Sequence, residues 1–276
     1  MPDGKQKGPE AVPPPIHLFS FLAFPFPFPP SGGERAPARA WWQSGSVYRE
    51  TGSEAVAGAV LWWSTVPPEA EPSRILPDGC LDLIWSSHQG LLVAGPDTTA
   101  QVGEGTAGER YVALRFPPGT GPAVLGVPAY ELRDQRVPLG ALWPGPHVRE
   151  LDERLAYADR PDRVLEAIAS ERLRERGGPD PIARAVVARL ARGADVAGTA
   201  AELGFDPRQL HRRSRTLFGY GPKTLARILR MQRALALLRA GVPAAEVAAR
   251  TGYADQPHLS REFRGLTGLP PRELVT

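Results

Sequence analysis

Two groups of side chains near the C-terminus have the types and the spacing to recognise a polyanion. Arg208, His211, Arg212 and Arg215 recur at intervals of three and four, which places them on one face of a helix. Gln256, Pro257, Ser260 and Arg261 share a second face of the same kind, and Arg264 continues it. Arg reads guanine and Gln reads adenine through paired hydrogen bonds in the major groove of DNA, each good pair supplying about 1–3 kcal/mol of discrimination. A charged face that merely holds water is an even match for one such helix. Two helices of this composition, each in the same local setting, favour base reading.

A third group suggests covalent chemistry instead. Cys80 lies between Asp78 and Asp82, and it is the only cysteine in the chain. A nucleophilic thiol needs a base, and His88 is the one nearby candidate. The structural reading is stronger: Asp78-Gly79 is a turn, Leu81, Leu83 and Trp85 alternate as one face of a strand, and a lone Cys is commonly a small buried apolar group. Trp62, Trp85 and Arg115 are the residues here with the character for ligand contact. We assign no catalytic residue and expect no enzyme.

The elements that must hold the two reading faces are visible as an internal repeat. Ala200-Ala201-Glu202-Leu203-Gly204-Phe205-Asp206 is echoed by Ala248-Ala249-Arg250-Thr251-Gly252-Tyr253-Ala254. Each copy reads as a short helix, a Gly suited to the left-handed conformation that closes it, an aromatic plug, and a cap for a second helix. That is a helix-turn-helix, twice. The second helices are predicted from about Pro207 to Phe218, with Leu210 and Leu217 inward, and from about Gln256 to Leu266, with Leu259 and Phe263 inward. Between them Pro222 to Ala240 reads as one amphipathic helix, about 28 Å long at 1.5 Å per residue. Adjacent major grooves on one face of B-DNA are about 34 Å apart, so one chain can place a helix in each.

Gly252-Tyr253-Ala254-Asp255-Gln256-Pro257-His258-Leu259-Ser260-Arg261-Glu262-Phe263-Arg264, then Gly268-Leu269-Pro270-Pro271-Arg272, resembles the C-terminal motif of AraC/XylS transcription regulators. Gly219-Tyr220-Gly221-Pro222 resembles the link after the first unit of that family. By this resemblance Arg208, His211 and Arg212 lie where the first recognition helix touches bases, and Gln256, Pro257, Ser260 and Arg261 where the second does. Ser214 departs from the pattern, since it stands where the family usually carries an aromatic core residue. Leu76 to Trp85, Ala94-Gly95-Pro96-Asp97 and Leu125-Gly126-Val127-Pro128-Ala129 resemble an N-terminal domain found on a subset of these regulators. In the family at large that domain is cupin-like, and senses a small effector or dimerises.

The rest of the chain fits this frame. Ala59 to Trp63, Leu81 to Trp85, Leu91 to Ala94 and Tyr111 to Phe116 are short β-rich runs separated by turns, the mark of a small antiparallel sheet or barrel. From about Pro128 the pattern turns helical, and this stretch is expected to join the β-rich part to the DNA-binding part. The expected fold is α+β and multidomain: an N-terminal β-barrel or sheet with a helical linker, then an all-α domain with two helix-turn-helix motifs. The expected divisions are 1–46 as a disordered extension, 47–178 as a sensor or dimerisation domain, and 179–276 as the DNA-binding domain. The first of these carries many prolines and a poor imitation of a signal peptide, and we expect Val47 to mark the true start.

Charge divides the chain in the same place. Residues 178–276 hold 16 Lys and Arg against 8 Asp and Glu, while the remainder holds 17 against 22. A basic C-terminal part facing double-stranded DNA follows from that split. RNA polymerase, a small effector and a second copy of the chain are the further partners expected of an activator of this kind. No cofactor is expected. The 5 His are too scattered for a metal-binding cupin, and the single Cys fits a reducing cytoplasm. The same count opposes a DNA-repair enzyme with a zinc-bound cysteine cluster. An RNA or protein adaptor is disfavoured by the paired base-reading faces.

Overall fold

The computed structural model describes residues 48–69, 72–103 and 105–275. The expectations for residues 1–46 and for Val47 as the start lie outside the described residues.

The β-rich part contains β1 (Tyr48–Gly52), β2 (Val60–Thr65), β3 (Ser73–Ile75), β4 (Leu81–Ser86), β5 (Gly90–Ala94), β6 (Gln101–Gly103), β7 (Arg110–Phe116) and, after the short helix α1 (Gly121–Leu125), β8 (Arg136–Pro138). Six of these form one antiparallel sheet in the order β1-β2-β7-β4-β5-β8, and β3 pairs with β6 as a separate two-stranded ribbon. Among the described residues the sheet is open, with β1 and β8 at its edges. Pro138 is tolerated in β8 because an edge strand can spare the missing N–H.

Alternation along the strands decides which face is covered. Leu83, Trp85, Val93, Val112, Leu114 and Phe116 point to one side and share a core with Leu125, Leu151, Leu155, Leu165 and Ile168. The last four lie on α2 (Gly145–Tyr157) and α3 (Pro161–Glu175). These two helices were expected to join the two parts of the chain; they are instead the second layer of the β-rich part. The stretch from Pro128 to Trp143, also expected to be helical, holds two 3-10 turns, Ala129–Glu131 and Leu139–Ala141, on either side of β8. Its proline and glycine content leaves no room for a continuous ladder of helical hydrogen bonds.

The C-terminal part is helical: α4 (Pro181–Ala191), α5 (Val196–Glu202), α6 (Pro207–Phe218), α7 (Pro222–Arg239), α8 (Ala244–Thr251) and α9 (Gln256–Thr267). Its core gathers Val186, Leu190, Leu210, Leu217, Leu225, Ile228, Met231, Leu235, Val247, Leu259 and Phe263. Leu76, from the β-rich part, is buried in this same core. No helix of the described residues is long and apolar enough to cross a membrane.

Candidate DNA interface

Helices α5 and α6 form one helix-turn-helix unit, and α8 and α9 form another. Each turn is closed by a left-handed glycine, Gly204 with φ of 72° and Gly252 with φ of 81°. An L side chain there would put its Cβ against the backbone, so Gly is the residue that fits. Phe205 and Tyr253 follow the glycines and pack against the C-terminal core, Tyr253 fully and Phe205 in part.

Caps then fix where each second helix begins. Asp206 accepts from the backbone N–H groups of Arg208 and Gln209, both at 2.8 Å, while the Gln209 side chain accepts from the Asp206 N–H at 3.0 Å. That reciprocal pair satisfies donors that the first turn of a helix leaves open. At α9 the cap is one-way: Asp255 accepts from the His258 N–H at 2.6 Å.

On α6, Leu210, Ser214, Leu217 and Phe218 are buried, and Arg208, His211, Arg212 and Arg215 are exposed. Two of the exposed four are not extended into open solvent. The His211 ring folds back on Gly221, where an added Cβ would fall 2.8 Å from Cδ2. The Arg215 guanidinium lies 5.3 Å over the ring of Tyr130. On α9, Leu259, Phe263 and Leu266 are buried; Gln256, Pro257, Arg261 and Arg264 are exposed, and Ser260 is half-buried. The residues singled out from the sequence are thus gathered on the outer faces of the two second helices.

The helix α7 joins the units and braces them through cations that sequence reading passed over. Arg227 makes a two-pronged ion pair with Glu262 on α9, at 3.0 and 3.1 Å, and Arg230 reaches the same carboxylate at 3.4 Å. Burial would raise the Glu262 carboxyl, but the hydrogen bonds and charges of Arg227 and Arg230 outweigh it and hold the group below its ordinary range. Arg230 also lies 4.5 Å over the Tyr253 ring. Arg233 donates to the Ala191 carbonyl that ends α4. The spacing of three between these arginines was the available signal, and it reads equally well as the solvent side of an amphipathic helix.

The candidate thiol has the opposite of an activated setting. Cys80 is buried, and burial first, then the charge of Asp78, pushes its thiol well above the ordinary value. A depressed thiol pKa is what nucleophilic cysteines need. Cys80 and His88 lie beyond opposite ends of β4, whose six residues span about 20 Å at the usual rise. Arg115 pairs with Asp82 at 3.3 Å, and Asp82 accepts from Trp62 Nε1 at 2.8 Å, so Trp62 and Arg115 meet on one face of the sheet. Trp85 is on the other face, bonded to Asp152 at 2.9 Å.

Two exposed, cationic second helices, each begun by a capping Asp and tied to a common central helix, define a double helix-turn-helix DNA-binding protein. Residues 199–276 match the family model described as a helix-turn-helix domain. Residues 59–138 match a second model, described as a domain of unknown function, DUF6597. No curated protein matches the sequence. Among solved structures the chain is similar to ToxT from Vibrio cholerae O395, with 10% identity and a TM-score of 0.41 over 83% of this chain and 97% of that one. It is also similar to wild-type ToxT from strain SCE256 with unsaturated fatty acid bound, with 10% identity and a TM-score of 0.40 over 79% of this chain and 94% of that one.

Proposed function

We propose that this protein controls transcription by reading two half-sites in adjacent major grooves of one DNA duplex, with α6 in the first and α9 in the second. One observation carries this reading: two exposed helices bearing Arg208, His211, Arg212 and Arg215, and Gln256, Pro257, Ser260 and Arg261, are joined by an 18-residue helix. At 1.5 Å per residue α7 spans about 27 Å. With the width of the flanking units this suits grooves about 34 Å apart.

In this reading residues 179–276 bind DNA, and the part from 47 to 178 carries the signal, by taking a small effector or pairing with a second copy. The work is binding in the cytoplasm, with RNA polymerase recruited or blocked at the promoter. Competition binding tests it. Full-length protein should hold a duplex selected from a random pool about 10³-fold or more tightly than random DNA at physiological salt. It should also lose affinity steeply as salt rises, because phosphate contacts release counterions. Equal affinity for selected and random duplexes across salt concentrations would refute it.

A further inference from the structure

Both helix-turn-helix units are seated on the β-rich part of the chain, at different places. At the first, Gly219, which closes α6 with φ of 84°, rests on Pro96 and Ala129. An added Cβ there would fall 2.6 Å from Pro96 Cγ and 3.2 Å from the Ala129 carbonyl oxygen. Tyr130 continues this seat under Arg215. At the second, the β3–β6 ribbon meets the end of α9. Arg74 Nη1 donates to the Thr267 carbonyl at 2.9 Å, and the Ala100 N–H donates to the Leu266 carbonyl at 2.7 Å. Both acceptors belong to the last turn of α9, where intrahelical donors run out and the helix dipole is negative. Between the two seats, Gln232 on α7 donates to the Pro77 carbonyl at 2.7 Å.

These contacts give α9 a further attachment, at its C-terminal end and outside the helical part. Within that part, Leu259, Phe263 and Leu266 seat it in the core and the Arg227 pair holds it at Glu262, near its middle. The ribbon holds its C-terminal end. The ribbon pairs with no strand of the six-stranded sheet, so the excursion of the chain into β3 and β6 is not needed to complete that sheet.

We infer that the β3–β6 ribbon is a positioning element for the second recognition helix: Arg74, acting through α9, sets the half-site spacing that the protein accepts. This rests on the reading that α6 and α9 each enter a major groove. One base pair added between half-sites moves the second by about 3.4 Å and turns it by about 35°. A pair of helices braced at both ends cannot follow that movement. A pair held only within the helical part can.

The test uses the full chain and duplexes carrying its selected two-part site with the native spacing or with one base pair added or removed. Wild type should lose about tenfold in affinity for either altered spacing, comparable with a mismatched base pair. Arg74→Met, which keeps most of the packing but removes the donor and the charge, should bind the native spacing nearly as well and lose most of that penalty. Arg74→Lys should restore it. Ala100→Pro, which deletes the N–H facing Leu266, should behave as Arg74→Met does, and serves if Arg74→Met proves unfolded by thermal melting. An undiminished spacing penalty in Arg74→Met and Ala100→Pro overturns the inference while leaving the two-groove reading in place. An equal loss of affinity at every spacing also overturns it, since that marks a general structural role. Failure of wild type to select a two-part site removes the two-groove reading itself, and the inference with it.

Discussion

Arg212 and Arg261 are the side chains on which base discrimination should rest most heavily, being exposed at the middle of α6 and α9 respectively. Replacing either by Ala is expected to weaken specific binding by about 1–3 kcal/mol and to relax selection within one half-site only. Full specificity in both variants, measured by selection from random duplexes, would remove them from the interface. Ser214 offers a different kind of test. Its side chain is buried at 1% exposure and its hydroxyl has no hydrogen-bond partner among the described residues. Ser214→Ala should therefore be neutral or raise stability by up to about 1 kcal/mol in urea unfolding, since an unpaired buried hydroxyl is a cost. Ser214→Phe would introduce the aromatic that the resemblance to AraC/XylS regulators leads one to expect here, which from the sequence alone suggests a tolerated or stabilising change. Around a side chain already enclosed, the ring must push the core apart, and a loss of about 1–3 kcal/mol is expected. A stability equal to wild type would show unfilled space beside Ser214.

At the scale of elements, local chemistry set most of what could be read in advance. The range Pro207 to Phe218 was legible to the residue because Asp206, Pro207 and Gly219 mark a cap, a first turn and a left-handed stop. Asp206→Ala should cost about 1 kcal/mol of stability, and an unchanged unfolding midpoint would show that the reciprocal bond to Gln209 contributes nothing. Four strands were legible from alternation, and β1, β3, β6 and β8 were not. The ribbon strands are three residues each, too short for a period of two to show. The role of Arg74 was beyond reach for a related reason: its acceptor lies 193 residues away and is a backbone carbonyl, which carries no side-chain signature. Arg227 and Glu262 could have been paired only by knowing that α7 and α9 cross. Breaking that pair by Glu262→Gln should lower stability by about 0.5–1 kcal/mol, as the ions are only partly shielded from solvent. A larger loss would indicate that the whole second unit depends on it.

At the scale of the molecule, the basic C-terminal part and the acidic remainder are not independent beads. Leu76 is buried in the helical core and Ala100 packs against it, while Pro77 meets Gln232 of α7 and Pro96 and Ala129 meet Gly219 at the end of α6. Under the proposed function, a small effector taken by the β-rich part would act through these contacts on the angle between α6 and α9. The central claim is that one chain occupies two successive grooves through those helices. Methylation interference at guanine N7 on the selected operator tests it most directly. Two clusters of sensitive guanines, centred about 10 base pairs apart on one face of the duplex, with Arg212→Ala and Arg261→Ala each erasing a different cluster, is the expected pattern. A single cluster, or two that both persist in both variants, would contradict it.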